Sequence, residues 1–153
     1  MPVISRKTED YLEAILNISL EKGYARTKDI AEELSIQPPS VVEMIQKLSQ
    51  AGFVIYRKYE GVTLTEKGRR IAETVKDRHE TLRSFLELVR IPETIATQDA
   101  CKMEHELSPE TIEQIRLFSA FLKESPKAIT IITDFEGFLR ARKKEQPFLK
   151  TPV

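Results

Sequence analysis

The stretch DACKMEHELS, residues 99–108, holds a thiol at Cys101, a carboxylate at Glu104 and an imidazole at His105. On a helix these stand at i, i+3 and i+4 and share one face. A Cys–His nucleophile would need a third group to orient its base, and no Asn or Asp is placed by sequence to orient His105. Ordinary helix surface stays open as a reading of these three residues alone. Further donors shift the balance. His79 is the only other histidine, and Asp10 and Glu13 stand at i, i+3 on the first helix, opposite Leu12 and Leu16. Six residues from three helices then offer oxygen, nitrogen and sulfur, a mix that suits a first-row divalent metal.

The elements that must carry these residues are mostly helical. Residues 5–21 read as a helix capped by Ser5, with Leu12, Ile15, Leu16 and Ser19 on one face, and Gly23 breaks the pattern. Thr27 is expected to cap a short helix that turns Ile30, Ala31 and Leu34 inward. Pro38 and Pro39 suit the entry to the next helix, which repeats apolar residues at Val41, Ile45 and Leu48 and stops at Gly52. Residues 53–58 and 62–64 are β-branched and aromatic, with Glu60 and Gly61 as the expected hairpin turn. A hairpin directly after a helix-turn-helix is a wing. Thr65 caps a long helix broken at Pro92, residues 92–107 are expected to form one helix, and Ser108, Pro109 and Glu110 open another. The last segment, beginning AITIITDFEGFLRARKKEQ, is read as a helix, although its β-branched opening leaves a strand open. The expected fold is mainly α: a winged helix-turn-helix over 1–72, then an all-helical dimerisation and metal-binding domain over 73–145, and a tail at 146–153.

Composition excludes little else. The chain is 41% hydrophobic and 31% charged, with 24 basic and 24 acidic side chains. Residues 1–72 hold 11 basic and 10 acidic residues, so DNA binding is not announced by charge and must rest on pattern. A single cysteine argues against a disulfide framework, and no apolar run reaches the roughly 18 residues of a membrane span. No signal-peptide core is visible at the start, so a cytoplasmic location with no membrane partner is expected.

In a helix-turn-helix the second helix enters the major groove with its N-terminal residues on base edges. With Val41, Ile45 and Leu48 inward, Pro39, Ser40, Glu43, Gln46, Lys47 and Gln50 face out. Ser40 and Lys47 are candidates for phosphate or base contacts, and Glu43 for accepting a cytosine amine. Gln37 stands at the entry to that helix, Arg26 and Lys28 flank the first helix of the motif, and Arg57 and Lys58 would meet the backbone from the wing. The bland alternative is a winged helix that contacts protein through a solvated polar face.

The segments DYLEAI, KGYARTKDIAEELSIQPPSVVEMIQKLSQAGFVIYRKYEGVTLTEKG, DRHETLRSFL and CKMEHELS resemble the metal-dependent repressors of the diphtheria-toxin-repressor and manganese-transport-regulator family. Motif order and spacing match over about residues 5–125. The resemblance implies a non-enzymatic regulator in which the winged helix binds double-stranded operator DNA, the later helices form a homodimer, and Fe(II) or Mn(II) is co-repressor. By position, Asp10, Glu13, His79, Glu104 and His105 fall on ligand positions of manganese-type members. Cys101 departs: manganese-type members carry a carboxylate there and iron-type members a thiol, whereas iron-type members have a Met at the position of Asp10. Softness gives a slight preference for Fe(II). Arg83 stands where the ancillary iron-type site has a carboxylate, and the sequence resembles the short form without an SH3-like domain. Glu43 replaces a Gln of the iron-type recognition helix.

Two rivals accompany this reading. One is a winged-helix regulator answering an organic ligand or oxidation of Cys101. The other is a structural zinc protein that does not bind DNA.

Overall fold

The structure, a computed structural model, describes residues 4–145; the expected tail at 146–153 lies outside them. Seven helices and one hairpin follow in the order α1 (Arg6–Lys22), α2 (Thr27–Leu34), α3 (Pro38–Gln50), β1 (Val54–Arg57), β2 (Gly61–Leu64), α4 (Glu66–Leu88), α5 (Glu93–Met103), α6 (Pro109–Glu124) and α7 (Pro126–Glu145). They divide into two compact units, the first ending at Glu80 and the second starting at Thr81, within α4.

In the first unit, α1 begins where the Ser5 hydroxyl accepts the backbone N–H of Thr8 at 3.2 Å, satisfying one of the helix's orphan donors. It ends at Gly23, whose left-handed φ of 84° costs glycine nothing. For α2 the expected cap was one residue late. Arg26 is the N-cap, and the Asp29 carboxylate accepts its N–H at 3.1 Å, so Thr27 is already helical. A cap needs extended backbone, and Arg26 has it, with ψ 154°. Pro38 and Pro39 open α3, and β1 and β2 pair antiparallel from Val54↔Leu64 to Arg57↔Gly61. The hairpin tip is Lys58–Glu60 rather than Glu60–Gly61: Tyr59 takes the left-handed backbone at φ 70°, and Gly61 is the first residue of β2.

One apolar cluster fills this unit. Leu12, Ile15 and Leu16 of α1 meet Ile30 of α2, Val41, Ile45 and Leu48 of α3, and Val54 and Val62 of the hairpin. The chain between α1 and α2 is bonded to the wing, since Ala25 N–H donates to Val62 and Val62 N–H donates back, at 3.0 and 2.7 Å. A side chain at Gly61 would strike the Ala25 carbonyl oxygen at 2.7 Å, so only glycine allows this approach.

In the second unit, Leu82, Ala100 and Ile112 form a smaller buried cluster with Met103, Leu107 and Ile115 against it. The helix expected over 92–107 stops at Met103, and Glu104 is its C-cap with backbone still in the right-handed helical region. Ser108 is extended, and its hydroxyl accepts the N–H of Thr111 to cap α6, so a turn separates the two helices. The last element, read as a helix despite its β-branched opening, is helix α7. No helix among the described residues is long and apolar enough to cross a membrane.

Candidate metal centre and DNA-reading face

The end of α5 builds the core of the candidate metal centre. Glu104 donates its backbone N–H to Ala100 at 3.0 Å, so it keeps helical placement although the helix ends beside it. Its carboxylate therefore stays one turn from Cys101, and the two ligand atoms lie within 4.8 Å. His105 falls in the turn instead of the helix, yet its Nε2 lies 3.2 Å from Glu104 Oε1. Both side chains are deeply buried, 2% exposed for His105 and 1% for Glu104, whereas Cys101 is exposed. Thus the expected i, i+3, i+4 face survives only in part: Cys101 and Glu104 share the helical turn, and the tight turn after it brings His105 back to Glu104.

A buried carboxylate is costly unless positive charge and hydrogen bonds compensate it. Carboxylate, imidazole and thiol together form a donor set that fits a divalent first-row cation, with the thiol favouring the softer members.

The first unit carries the other three expected ligands. Asp10 and Glu13 lie on α1 and His79 near the end of that unit's part of α4, all half-buried. The sequence placed Asp10 and Glu13 on α1 opposite Leu12 and Leu16, as candidate ligands. The structure buries Tyr11, Leu12, Ala14, Ile15, Leu16 and Ile18, so α1 is enclosed on more than one side and its acidic residues are only partly accessible.

Tyr11, next to Asp10, was not singled out by the sequence. Its side chain is buried and its hydroxyl lies 3.5 Å from the Ser40 carbonyl oxygen in the first turn of α3. Burial, then the nearby Glu43 carboxylate, pushes its phenol above the ordinary value. An aromatic residue beside an acidic one at the start of a helix was the available signal.

The DNA-reading candidates all lie in the first unit. Gln37, Pro39, Ser40, Glu43, Gln46 and Lys47 are exposed on or just before α3, above buried Val41, Met44, Ile45 and Leu48. Lys47 Nζ donates to Glu43 Oε1 at 2.7 Å, and this bond, with the charges of Lys47 and Lys7, holds the Glu43 carboxyl below its ordinary value. On the wing, Arg57 reaches Glu60 at 3.3 Å, and Lys58 lies over the ring of Tyr59, which is 90% exposed. Arg26, beside α2, donates to the Tyr24 hydroxyl at 3.0 Å, and Lys28 is exposed.

A winged helix-turn-helix joined to a helical unit with a buried carboxylate–imidazole pair defines a metal-responsive DNA-binding regulator. Residues 3–62 match the iron dependent repressor N-terminal DNA binding domain, and residues 65–133 match the iron dependent repressor metal binding and dimerisation domain. The chain belongs to this family of metal-dependent transcriptional regulators, which are not enzymes. It is 40% identical to the HTH-type transcriptional regulator MntR of Geobacillus kaustophilus (strain HTA426), over 84% of this chain and 91% of that one. It is also 40% identical to MntR of Lysinibacillus sphaericus (strain C3-41), over 79% and 87%. Among solved structures, the manganese regulator SloR superposes with a TM-score of 0.64 at 30% identity over 72% of this chain; the match spans about half of SloR, 52%.

Proposed function

We propose that the protein is a repressor that binds operator DNA as a dimer when Fe(II) or Mn(II) is bound, and so controls genes of metal uptake. Residues 1–72 read DNA, and residues 73–145 dimerise and complete the sensor. The observation that carries this reading is the buried Glu104–His105 pair beside Cys101, in the same chain as a winged helix. Asp10, Glu13, His79, Cys101, Glu104 and His105 are the proposed ligands, by their positions in the family motif.

A bound divalent cation supplies positive charge to carboxylates that otherwise repel one another. Asp10 and Glu13 would then hold α1 in one place, and Tyr11 would pass that placement to the first turn of α3 through its approach to Ser40. Turning a population from 1:99 to 99:1 in favour of the DNA-competent form takes about 5.5 kcal/mol of differential binding, within reach of several ligands. The exposed Leu117, Phe118 and Phe121 of α6 supply apolar surface for a second copy, which would place two recognition helices on half-sites about one helical turn apart.

The relatives described as manganese regulators support Mn(II), as do the hard carboxylates of α1. The Cys101 thiol supports Fe(II). The site takes both ions, and Cys101 sets the balance. Anaerobic fluorescence anisotropy on the protein's own upstream DNA tests this, with chelator, Fe(II), Mn(II) and Zn(II) in separate titrations. Binding only with metal is expected, and Cys101→Ser should weaken the Fe(II) response more than the Mn(II) response. Equal binding in chelator would refute the sensor. The exposure of Cys101 favours a second reading, in which its oxidation is the signal; peroxide that releases metal-free protein from DNA would establish it instead.

A further inference from the structure

At about 100° per residue, the positions of α3 directly opposite buried Val41, Met44, Ile45 and Leu48 are Pro39, Glu43, Gln46 and Gln50. Glu43 is the only charged residue among these four, and it lies in the N-terminal half of the helix, the part that reaches base edges in a helix-turn-helix. An acidic residue aimed at DNA works against phosphate-driven affinity, so its presence there calls for an explanation in recognition. Its partner is one turn on. Lys47 Nζ stands 2.7 Å from Glu43 Oε1, and both side chains are about two-thirds exposed, at 66% and 68%. The outward face thus presents an anionic acceptor and a cationic donor side by side.

Resting on the DNA-binding reading above, we propose that Glu43 and Lys47 act as one unit that reads a single C·G base pair in each half-site. In the major groove, cytosine presents its N4 amine as a donor and guanine its O6 and N7 as acceptors. Within the pair, cytosine N4 and guanine O6 are themselves joined by a hydrogen bond of about 2.9 Å. A carboxylate and an ammonium at 2.7 Å match that donor–acceptor edge: Glu43 accepts from cytosine N4, and Lys47 donates to guanine O6. The match has a direction. Reversal to G·C sets the guanine acceptors against the carboxylate, thymine in place of cytosine offers O4, again an acceptor, and adenine, which does offer a donor at N6, sets its N7 acceptor beside it where cytosine has only a C–H. Lys47 also keeps Glu43 ionised, so the carboxylate has no proton to donate to a wrong base. Gln46 and Gln50, which both donate and accept, tolerate more partners.

The test begins with selection of binding sequences from random duplex DNA by the full-length Mn(II)-loaded protein. Anisotropy titrations with every single base-pair change in the selected half-site follow, for wild type, Glu43→Gln and Lys47→Met. Wild type should require C·G in one orientation at one position, and reject reversal there by roughly tenfold or more. Glu43→Gln should remove that preference while keeping the others, and should bind unrelated DNA more tightly because a negative charge is gone. Lys47→Met should lose the same preference but bind unrelated DNA more weakly. If Glu43→Gln keeps every base preference and only its thermal midpoint falls, the ion pair is helix reinforcement and the proposal is overturned. If the Mn(II)-loaded wild type selects no sequence at all, the operator-binding reading falls and takes this proposal with it.

Discussion

The two units handle apolar surface in opposite ways. The first turns most of its large aliphatic residues inward, from Leu12 and Ile15 on α1 to Leu48 on α3 and Val62 on the wing, with Leu20, Val42 and Ile55 left exposed. The second gathers a smaller set around Leu82, Ala100 and Ile112, and leaves Leu117, Phe118, Phe121, Ile129 and Phe138 largely exposed. A module that buries its own core has less to gain from a partner surface. One that leaves large side chains in water gains by finding a partner surface, in keeping with the metal binding and dimerisation domain that residues 65–133 match.

The largest effects should come from attacking the self-sufficient core. Leu12→Ala, at a fully buried position, should lower the stability of the first unit by about 2–5 kcal/mol, read from urea unfolding. Phe121→Ala, at a residue 48% exposed, should change monomer stability by only about 0.5 kcal/mol. Comparable losses would erase the contrast between the units. Next comes the sensor. Glu104→Gln should weaken Mn(II)-activated DNA binding on the order of 100-fold while leaving the circular dichroism of the first unit intact; an unchanged metal titration would remove Glu104 from the ligand set. Phe118→Asp with Phe121→Asp should convert the proposed dimer to monomer in sedimentation equilibrium, and a persistent dimer would move the interface elsewhere.

Smaller effects sharpen the comparison, because each unit has a serine-capped helix. Ser5→Ala and Ser108→Ala should each cost about 1 kcal/mol. Only Ser5→Ala should also blunt the metal response severalfold, since its helix carries Asp10 and Glu13. Equal effects of the two on metal activation would contradict a special role for α1.

The smallest expected effect is on pH dependence. The Lys22 ammonium, with the Arg26 N–H, holds the Asp29 carboxyl below its ordinary value. A depressed carboxyl contributes stability that is fully present above its unfolded value and is lost as pH falls through the folded one. The stability difference between wild type and Asp29→Asn should therefore be flat near neutrality and shrink only in strong acid. Lys22, raised first by its bond to Asp29, loses its share only as pH climbs past its raised value. A difference that changes between pH 6 and 8 would assign the effect to another group.

Local chemistry announced the elements it controls. Ser5, Gly23, Pro38, Ser108 and Pro109 stand at helix boundaries because a cap or a missing N–H acts within one turn, and the wing was visible in its β-branched run. What depended on distant neighbours was harder to read. α5 ends at Met103, short of the expected 107, although no Gly or Pro marks the stop, and α7 is the helix it was read as despite Ile129, Thr130, Ile131 and Ile132, whose branching lowers helix propensity by only tenths of a kcal/mol each. At the candidate site, residue types and spacing drew attention to Cys101, Glu104 and His105. The depth of Glu104 and the partial burial of Asp10 and Glu13 could not be read, because burial depends on which elements pack around a helix. Tyr11 was hidden for the same reason, since its approach to Ser40 joins residues 29 apart.

The reciprocal bonds between Ala25 and Val62 have a consequence for protein engineering and for descent. The wing is not a detachable accessory. Gly61 is held to the Ala25 backbone too closely for any side chain to fit between them. A graft of residues 53–65 from a relative must therefore bring the Tyr24–Ala25 segment with it, or leave the grafted hairpin facing a backbone that does not fit. Recombination within this family should likewise respect the linkage: the bend after the first helix and the hairpin that follows the recognition helix, far apart in the chain, should be inherited as one block.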